Sequence, residues 1–255
     1  MYVQNKKVDV LKAKYLKTEV KLSGSLKRLG NFNYYNCKGF TLAEVLITLG
    51  IIGIVAAMTL PAILEHHEKV VTANKLKKFY TVMQQAILFS ENENEELKNW
   101  MPSEAQVRKS EGFEQWYNLY LDKHIQSINK KKLKEPYYQI TLADGSGFVA
   151  YIANRQNIFF MYCTDIKYCG PEIYDGRHSF LFTIDSNKKF IASLVGSQNA
   201  TREKLLDSCS KGNFDDPENS RKDARHTCAR LIQYDGWEIK KDYPWRQTMI
   251  KKQKS

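Results

Sequence analysis

Residues 38–64 read KGFTLAEVLITLGIIGIVAAMTLPAIL, and this stretch decides how the rest of the chain is read. From Val45 to Leu64 it holds no charged side chain, and it is entered through one carboxylate, Glu44, behind a Lys38-Gly39-Phe40 junction. As a helix, Phe40 to Leu64 covers about 37 Å at ~1.5 Å per residue, enough for a hydrocarbon core of about 30 Å. A carboxylate at the start of such a helix is costly in lipid, so its charge requires a partner. Gly50, Gly53 and Pro61 are tolerated in a membrane helix, where neighbouring groups re-satisfy the backbone. Pro61 has no N–H to donate, and a helix bend is expected there.

The charge on either side of the run is uneven. The chain has 255 residues and a formal net charge of +11. Residues 1–39 hold nine Lys/Arg against two acids, a net of +7, which leaves 30 basic and 26 acidic residues, a net of +4, for the remainder. Basic residues ahead of an apolar run keep that side cytoplasmic and send the C-terminal side across the membrane. The +4 that remains is a weak basis for nonspecific DNA binding, so nucleic acid is not expected as a partner. A hydrophobic content of 43% excludes a disordered chain.

The Gly39-Phe40-Thr41-Leu42-x-Glu44 core resembles the N-terminal cleavage and methylation segment of type IV pilins and type II secretion pseudopilins. The resemblance covers about residues 37–64. It implies that a prepilin peptidase/methyltransferase cuts between Gly39 and Phe40, removes residues 1–39 as a basic leader and methylates the new Phe40 amine. Glycine before the cut has a steric rationale, because a peptidase acting on extended chain at the membrane leaves little room for a side chain. Glu44 then becomes the fifth mature residue, and its expected partner in assembly is the Phe40 amine of a neighbouring subunit. Pro61 stands where pilins commonly carry a helix-bending proline. The leader is longer than such leaders usually are. A rival reading is a secretory signal cleaved after Val55-Ala56-Ala57, against which stand Glu44 and the leader's length.

Beyond Leu64 the pattern becomes amphipathic. Val70, Leu76, Phe79, Tyr80, Val82, Met83, Ile87 and Leu88 recur at three- and four-residue spacing, which predicts that the helix continues and packs on a globular head. It runs out near Glu91–Glu96. A second helical region is expected over about Ser103 to Asn129, with Ser103 and Gln106 as a capping box. Trp116, Tyr117, Leu119, Tyr120 and Leu121 are its expected core face. From Tyr137 the period changes to two: a hairpin over Tyr138–Leu142 and Phe148–Ile152 with a Gly-rich turn, then strands at Ile158–Cys163 and Phe180–Ile184 and a further one within Lys189–Val195. With no helix-length connections between them, the strands should be antiparallel. Residues 198–219 read as polar loop, and the chain closes with an aromatic segment, Tyr234 to Trp245.

Of five cysteines, Cys37 lies in the leader; Cys163, Cys169, Cys209 and Cys228 remain. An even number on the non-cytoplasmic side makes all four disulfide candidates, with three possible pairings. Cys163–Cys169 with Cys209–Cys228 is preferred because both close local loops. Metal is not expected at these cysteines, whose spacings lack the tight pairs of a structural zinc site. Asp215-Asp216-Pro217-Glu218 gathers oxygen ligands and, as in some pseudopilins, raises calcium, but it lacks the alternating ligand order of a calcium-binding hand. No cofactor is expected, and His66-His67 reads as a solvated pair. Residues 170–184 resemble a Gly-x-Asp-x-Phe-x-Phe strand of pilin-like heads, with Arg177-His178 where the acid is usual.

The expected fold is α+β and pilin-like: a long N-terminal helix, membrane-spanning in its first half, packed on an antiparallel sheet. The expected divisions are a leader at 1–39, a transmembrane and assembly helix at 40–64, and a helix continuation with head at 65–255. No GxSxG, HExxH or phosphate-cradling loop occurs, so no enzyme is expected. The function implied by the resemblance is a filament subunit of a type IV pilus or type II secretion pseudopilus. Its partners would be other such subunits, the peptidase, an inner-membrane assembly platform and, before assembly, the membrane. An adhesive or DNA-binding minor pilin using Trp237–Arg246, and a membrane-anchored enzyme, are the alternatives.

Overall fold

A computed structural model of the chain describes residues 39–171, 174–185, 187, 189–192, 199–210 and 224–245. The leader, Cys37, Asp215–Glu218, residues 193–195 of the last expected strand and Arg246 lie outside the described residues. The first helix, α1, runs unbroken from Leu42 to Asn94 and passes through Pro61. The chain divides at Gly53/Ile54, inside α1. Among the described residues the first unit is helix and its short lead-in; the second holds the rest of α1 and the whole head.

In the second unit α1 changes character. Thr72, Ala73, Leu76, Phe79, Met83, Ala86, Ile87 and Ser90 are buried. They form one stripe at helical spacing, the face that a helix must cover to be stable in water. Val70 and Leu88, expected on this face, are 45% and 58% exposed. At about 100° per residue both lie roughly 120° around the helix from Leu76, outside the stripe. Val82 sits at its margin, half-buried.

The stripe packs on a six-stranded antiparallel meander in the order β1 to β6: Ser127–Lys132, Tyr138–Leu142, Gly147–Asn154, Asn157–Cys163, Ser179–Ile184 and Phe190–Ile191. Register places Phe148, Tyr162 and Phe180 in one row, and Ala150, Phe160 and Phe182 in the next. Alternation turns these side chains to one face, where Phe79 enters. Its ring stacks on Tyr162 at 4.3 Å and meets Phe182, Phe148 and Phe190 edge-on or tilted at 5.1, 5.6 and 6.0 Å. The opposite face buries Val149, Met161 and Leu181 under Leu133, Tyr137, Tyr151, Phe159, Cys169 and Tyr174. With both faces covered, β5 is buried at every position and reads as a continuous apolar run rather than an alternation.

The expected second helix is shorter and divided. Ser103 and Gln106 do form a capping box, on a single 3₁₀ turn, and α2 then spans Ser110–Tyr120. Phe113, Trp116, Tyr117 and Leu121 are buried, whereas Leu119 is 61% exposed, being some 200° around the helix from Tyr117. Residues 127–129, expected as helix, belong to β1. This edge strand is exposed at Ile128 and at Lys130, Lys131 and Lys132, and lysines on a sheet edge discourage pairing with another chain.

The segment expected as loop also holds α3, Arg202–Ser210, and a further helix follows, α4, Cys228–Tyr234. Cys209 and Cys228 join these helices, and Cys163 and Cys169 close the loop after β4, as preferred from sequence. Arg202 binds both oxygens of Asp235 (2.7 and 2.9 Å) and of Asp242 (2.7 and 2.9 Å), fastening the start of α3 to the chain beyond α4. Arg177-His178 stand where the acid is usual in such a strand, and here Asp175 supplies the turn's carboxylate. Its Oδ1 accepts from the backbone N–H groups of Arg177, His178 and Ser179 at 2.9, 2.7 and 2.9 Å. Gly176 within this turn has φ +72°, and a Cβ there would lie 2.8 Å from Cys228 Sγ. Glycine alone suits both constraints.

Two outcomes follow from this packing. Phe79→Ala should destabilise the head by about 3–5 kcal/mol, measured by denaturant unfolding of the full chain in mild detergent. Burial acts to raise the Asp175 pKa, but the His178 ring and the three N–H groups outweigh it and hold the carboxyl below its ordinary value. Its folded pKa therefore lies below an unfolded value of about 3.9. The stabilisation is complete above that value and is lost as pH falls through the folded pKa. Asp175→Asn should be less stable at neutral pH by about 2 kcal/mol, and the gap in melting temperature should close below about pH 3.9.

Candidate functional site

The segment with the strongest chemical signature begins where the described chain begins. Gly39 and Phe40 are exposed and non-helical, and α1 starts two residues later. Thr41 caps it. The Thr41 N–H and hydroxyl both donate to Glu44 Oε2 at 2.8 Å, and the Glu44 N–H donates to Thr41 Oγ1 at 3.2 Å. This is a reciprocal capping box: the N-cap side chain satisfies one free helix N–H while the third helical residue reaches back to another. The carboxylate also stands at the positive end of the helix dipole. Glu44 is thus supported within its own chain. The Thr-x-x-Glu spacing is the sequence signal of this box.

Gly39 is not required by the fold. A Cβ there would meet no atom within 4 Å, and the same holds for Gly50 and Gly53. Every residue from Gly39 to His67 is exposed, including Leu46, Ile47, Leu49, Ile52 and Leu64. His66 and His67 are both exposed. Gly39, Phe40 and Glu44 belong to the first unit, and Pro61 and the four cysteines to the second.

Where the apolar run ends, α1 is clamped. Arg177 Nε and Nη2 donate to the two Glu68 oxygens at 2.8 and 2.6 Å, and the guanidinium lies over the Trp245 ring at 5.2 Å. Glu68 is not marked in the sequence, because an isolated acid on a helix carries no signal of its distant partner. The closing aromatics are engaged internally as well: Trp237 packs on Tyr80 at 5.3 Å, and Trp245 also has Lys69 over its ring at 5.8 Å.

Elsewhere, a cavity of about 250 Å³ lies between α1, the segment before β1 and the β2–β3 turn. Its two lysines are engaged, Lys75 with the Thr164 carbonyl at 2.6 Å and Lys78 with Asp144 at 2.7 Å. Among the described residues no group of three or more His, Cys, Asp and Glu side chains is placed to hold a metal ion.

Two known families match parts of the chain. A family model described as a family of unknown function (DUF6613) matches residues 62–247, and the model of the prokaryotic N-terminal methylation motif matches residues 34–60. The chain is a prepilin-type member of the DUF6613 family. No curated protein and no solved structure matches it. This pilin-like protein joins a methylation segment, whose family is structural rather than enzymatic, to a head characteristic of DUF6613. The apolar helix and the motif are consistent with membrane anchoring before assembly.

If the capping box supports Glu44 as described, Thr41→Val should increase amide exchange over Leu42–Glu44 of the full chain in micelles by about fivefold, equivalent to about 1 kcal/mol. Thr41→Ser should leave it near the wild-type rate.

Proposed function

We propose that this chain is a structural subunit of a type IV pilus or type II secretion pseudopilus, cleaved after Gly39, N-methylated at Phe40 and assembled through the first half of α1. The supporting observation is the complete exposure of residues 39–67. An apolar surface of that length has two stable environments, lipid and other apolar helices. The helix is parked in the inner membrane with the head outside the cytoplasm, and in the filament it packs against copies of itself or related subunits.

Further features support the reading. Glycine at position 39 has no internal reason, which fits a requirement imposed by a peptidase. Gly50 and Gly53 likewise face open space, and small residues let helix backbones approach closely in lipid. Glu44 can exchange its internal N-cap donors for the Phe40 amine of a neighbouring subunit, so that assembly does not leave the carboxylate unpaired. Pro61 loosens α1 where its role changes, and loss of the leader removes Cys37 and most of the excess positive charge.

Mass spectrometry of the protein from cells with an intact assembly system should find N-methyl-Phe40 as the first residue. An N-terminus at Met58 would instead establish secretory cleavage. Gly39→Val should accumulate uncut precursor. Glu44→Ala should enter the membrane normally but reduce filament incorporation by at least tenfold, since an unpaired buried amine costs several kcal/mol; wild-type incorporation would defeat the assembly role.

A further inference from the structure

The head carries a basic notch beside the last turn of the apolar run. A cavity of about 210 Å³ is lined by Ala62, Glu65, His66 and Lys69 of α1 and by Ile239, Lys240 and Lys241 of the segment after α4. Ala62 belongs to the uncharged run that ends at Leu64, and Glu65 is the first charged residue after it. If the run spans a bilayer, these residues fall where hydrocarbon gives way to headgroups.

The charges there favour an anion. Glu65 is taken up by Lys69 at 2.5 Å. Lys240 lies 3.3 Å from Asp235, but that carboxylate already accepts two hydrogen bonds from Arg202. Asp242, the neighbouring acid, is held by the same guanidinium. Lys241 is exposed and has no ion pair among the described residues. The lining itself sets three lysines, Lys69, Lys240 and Lys241, against one carboxylate, Glu65; behind it Arg202 and Lys240 together balance Asp235 and Asp242, and Glu238 is exposed just before Ile239. Ile239 is packed against the head core, which anchors the two lysines that follow it. The chain continues from Trp245 into ten residues that contain Arg246, Lys251, Lys252 and Lys254 and no acid.

We propose that this notch binds the phosphate headgroup of an anionic phospholipid, holding the head against the leaflet until the subunit leaves the membrane. A lysine-rich surface at headgroup level gains from anionic lipid, and the ammoniums are point charges suited to a phosphodiester. Lipid is favoured over free phosphate because the α1 side of the notch continues directly into the apolar run, which acyl chains would cover. The inference rests on the membrane-anchored reading of that run.

The test uses the full chain in vesicles and then in mild detergent. Resistance to alkaline extraction from phosphatidylcholine vesicles checks anchoring separately; failure there removes the anchor, whatever the notch binds. Native mass spectrometry of protein extracted from an equal mixture of phosphatidylglycerol and phosphatidylcholine then reads the notch. Phosphatidylglycerol adducts should predominate, and Lys240→Gln/Lys241→Gln should reduce them by about 30-fold. Lys131→Gln, on the exposed β1 edge, should leave them unchanged, and circular dichroism should show both variants folded. Equal adducts of the two lipids, or an unaltered preference in the double variant, would overturn the proposal. Displacement of the adducts by millimolar inorganic phosphate would also overturn it, by showing an anion site indifferent to lipid.

Discussion

One helix has to satisfy two different surroundings. In α1 every interior backbone hydrogen bond is made within the helix, so the backbone is equally content in lipid and against a sheet. Only the side-chain pattern has to change, and it does so after Leu64. Before that point apolar residues occupy all sides; after it they narrow to the stripe from Thr72 to Ser90. The head is organised around this stripe. The sheet presents Phe148, Phe160, Tyr162, Phe180 and Phe182 to it, and Phe79 fills the space they enclose.

Charge is handled by the same economy at both ends of the apolar run. Glu44 enters through a capping box, so its negative charge coincides with the helix N–H groups that have no other intrahelical acceptor. At the far end Glu68 is held by the bidentate fork of Arg177, a residue of the turn that Asp175 organises. Gly176 in that turn lies against the Cys209–Cys228 bridge, and its carbonyl accepts from the Tyr243 hydroxyl at 2.6 Å. The clamp on α1, the disulfide and the chain's aromatic end therefore meet at one place, next to the basic notch. A disturbance in any of them is expected to reach the others, because packed interiors transmit strain.

Much of this was legible in the sequence where one periodicity dominates. The β2–β3 hairpin stands where alternation and its turn residues place it, and β4 and β5 where short apolar runs place them. The elements that were missed have weak patterns. β1 is an edge strand with three consecutive lysines and shows no buried alternation. α3 buries only Leu205 and Cys209, too few positions to mark a face in a polar segment. Val70, Leu88 and Leu119 are apolar and near the spacing of a core face, yet each lies on the exposed side of its helix. A count of spacings locates a helix more reliably than it locates the margin of its buried stripe.

The sequence by itself determined the apolar run, the acid at its entrance, the methylation motif around Gly39-Phe40 and the availability of four cysteines beyond it. These are local properties, fixed by neighbours a few residues apart. Tertiary structure decided which cysteines pair, that Asp175 supplies the turn's carboxylate, that Arg177 reaches Glu68, and that Lys240 and Lys241 come to lie beside Ala62 and Lys69. Each of these depends on residues far apart in the chain. Such contacts form only when the meander and the α1 stripe have packed, since the entropy of closing long loops is repaid by burial and not by the contact alone.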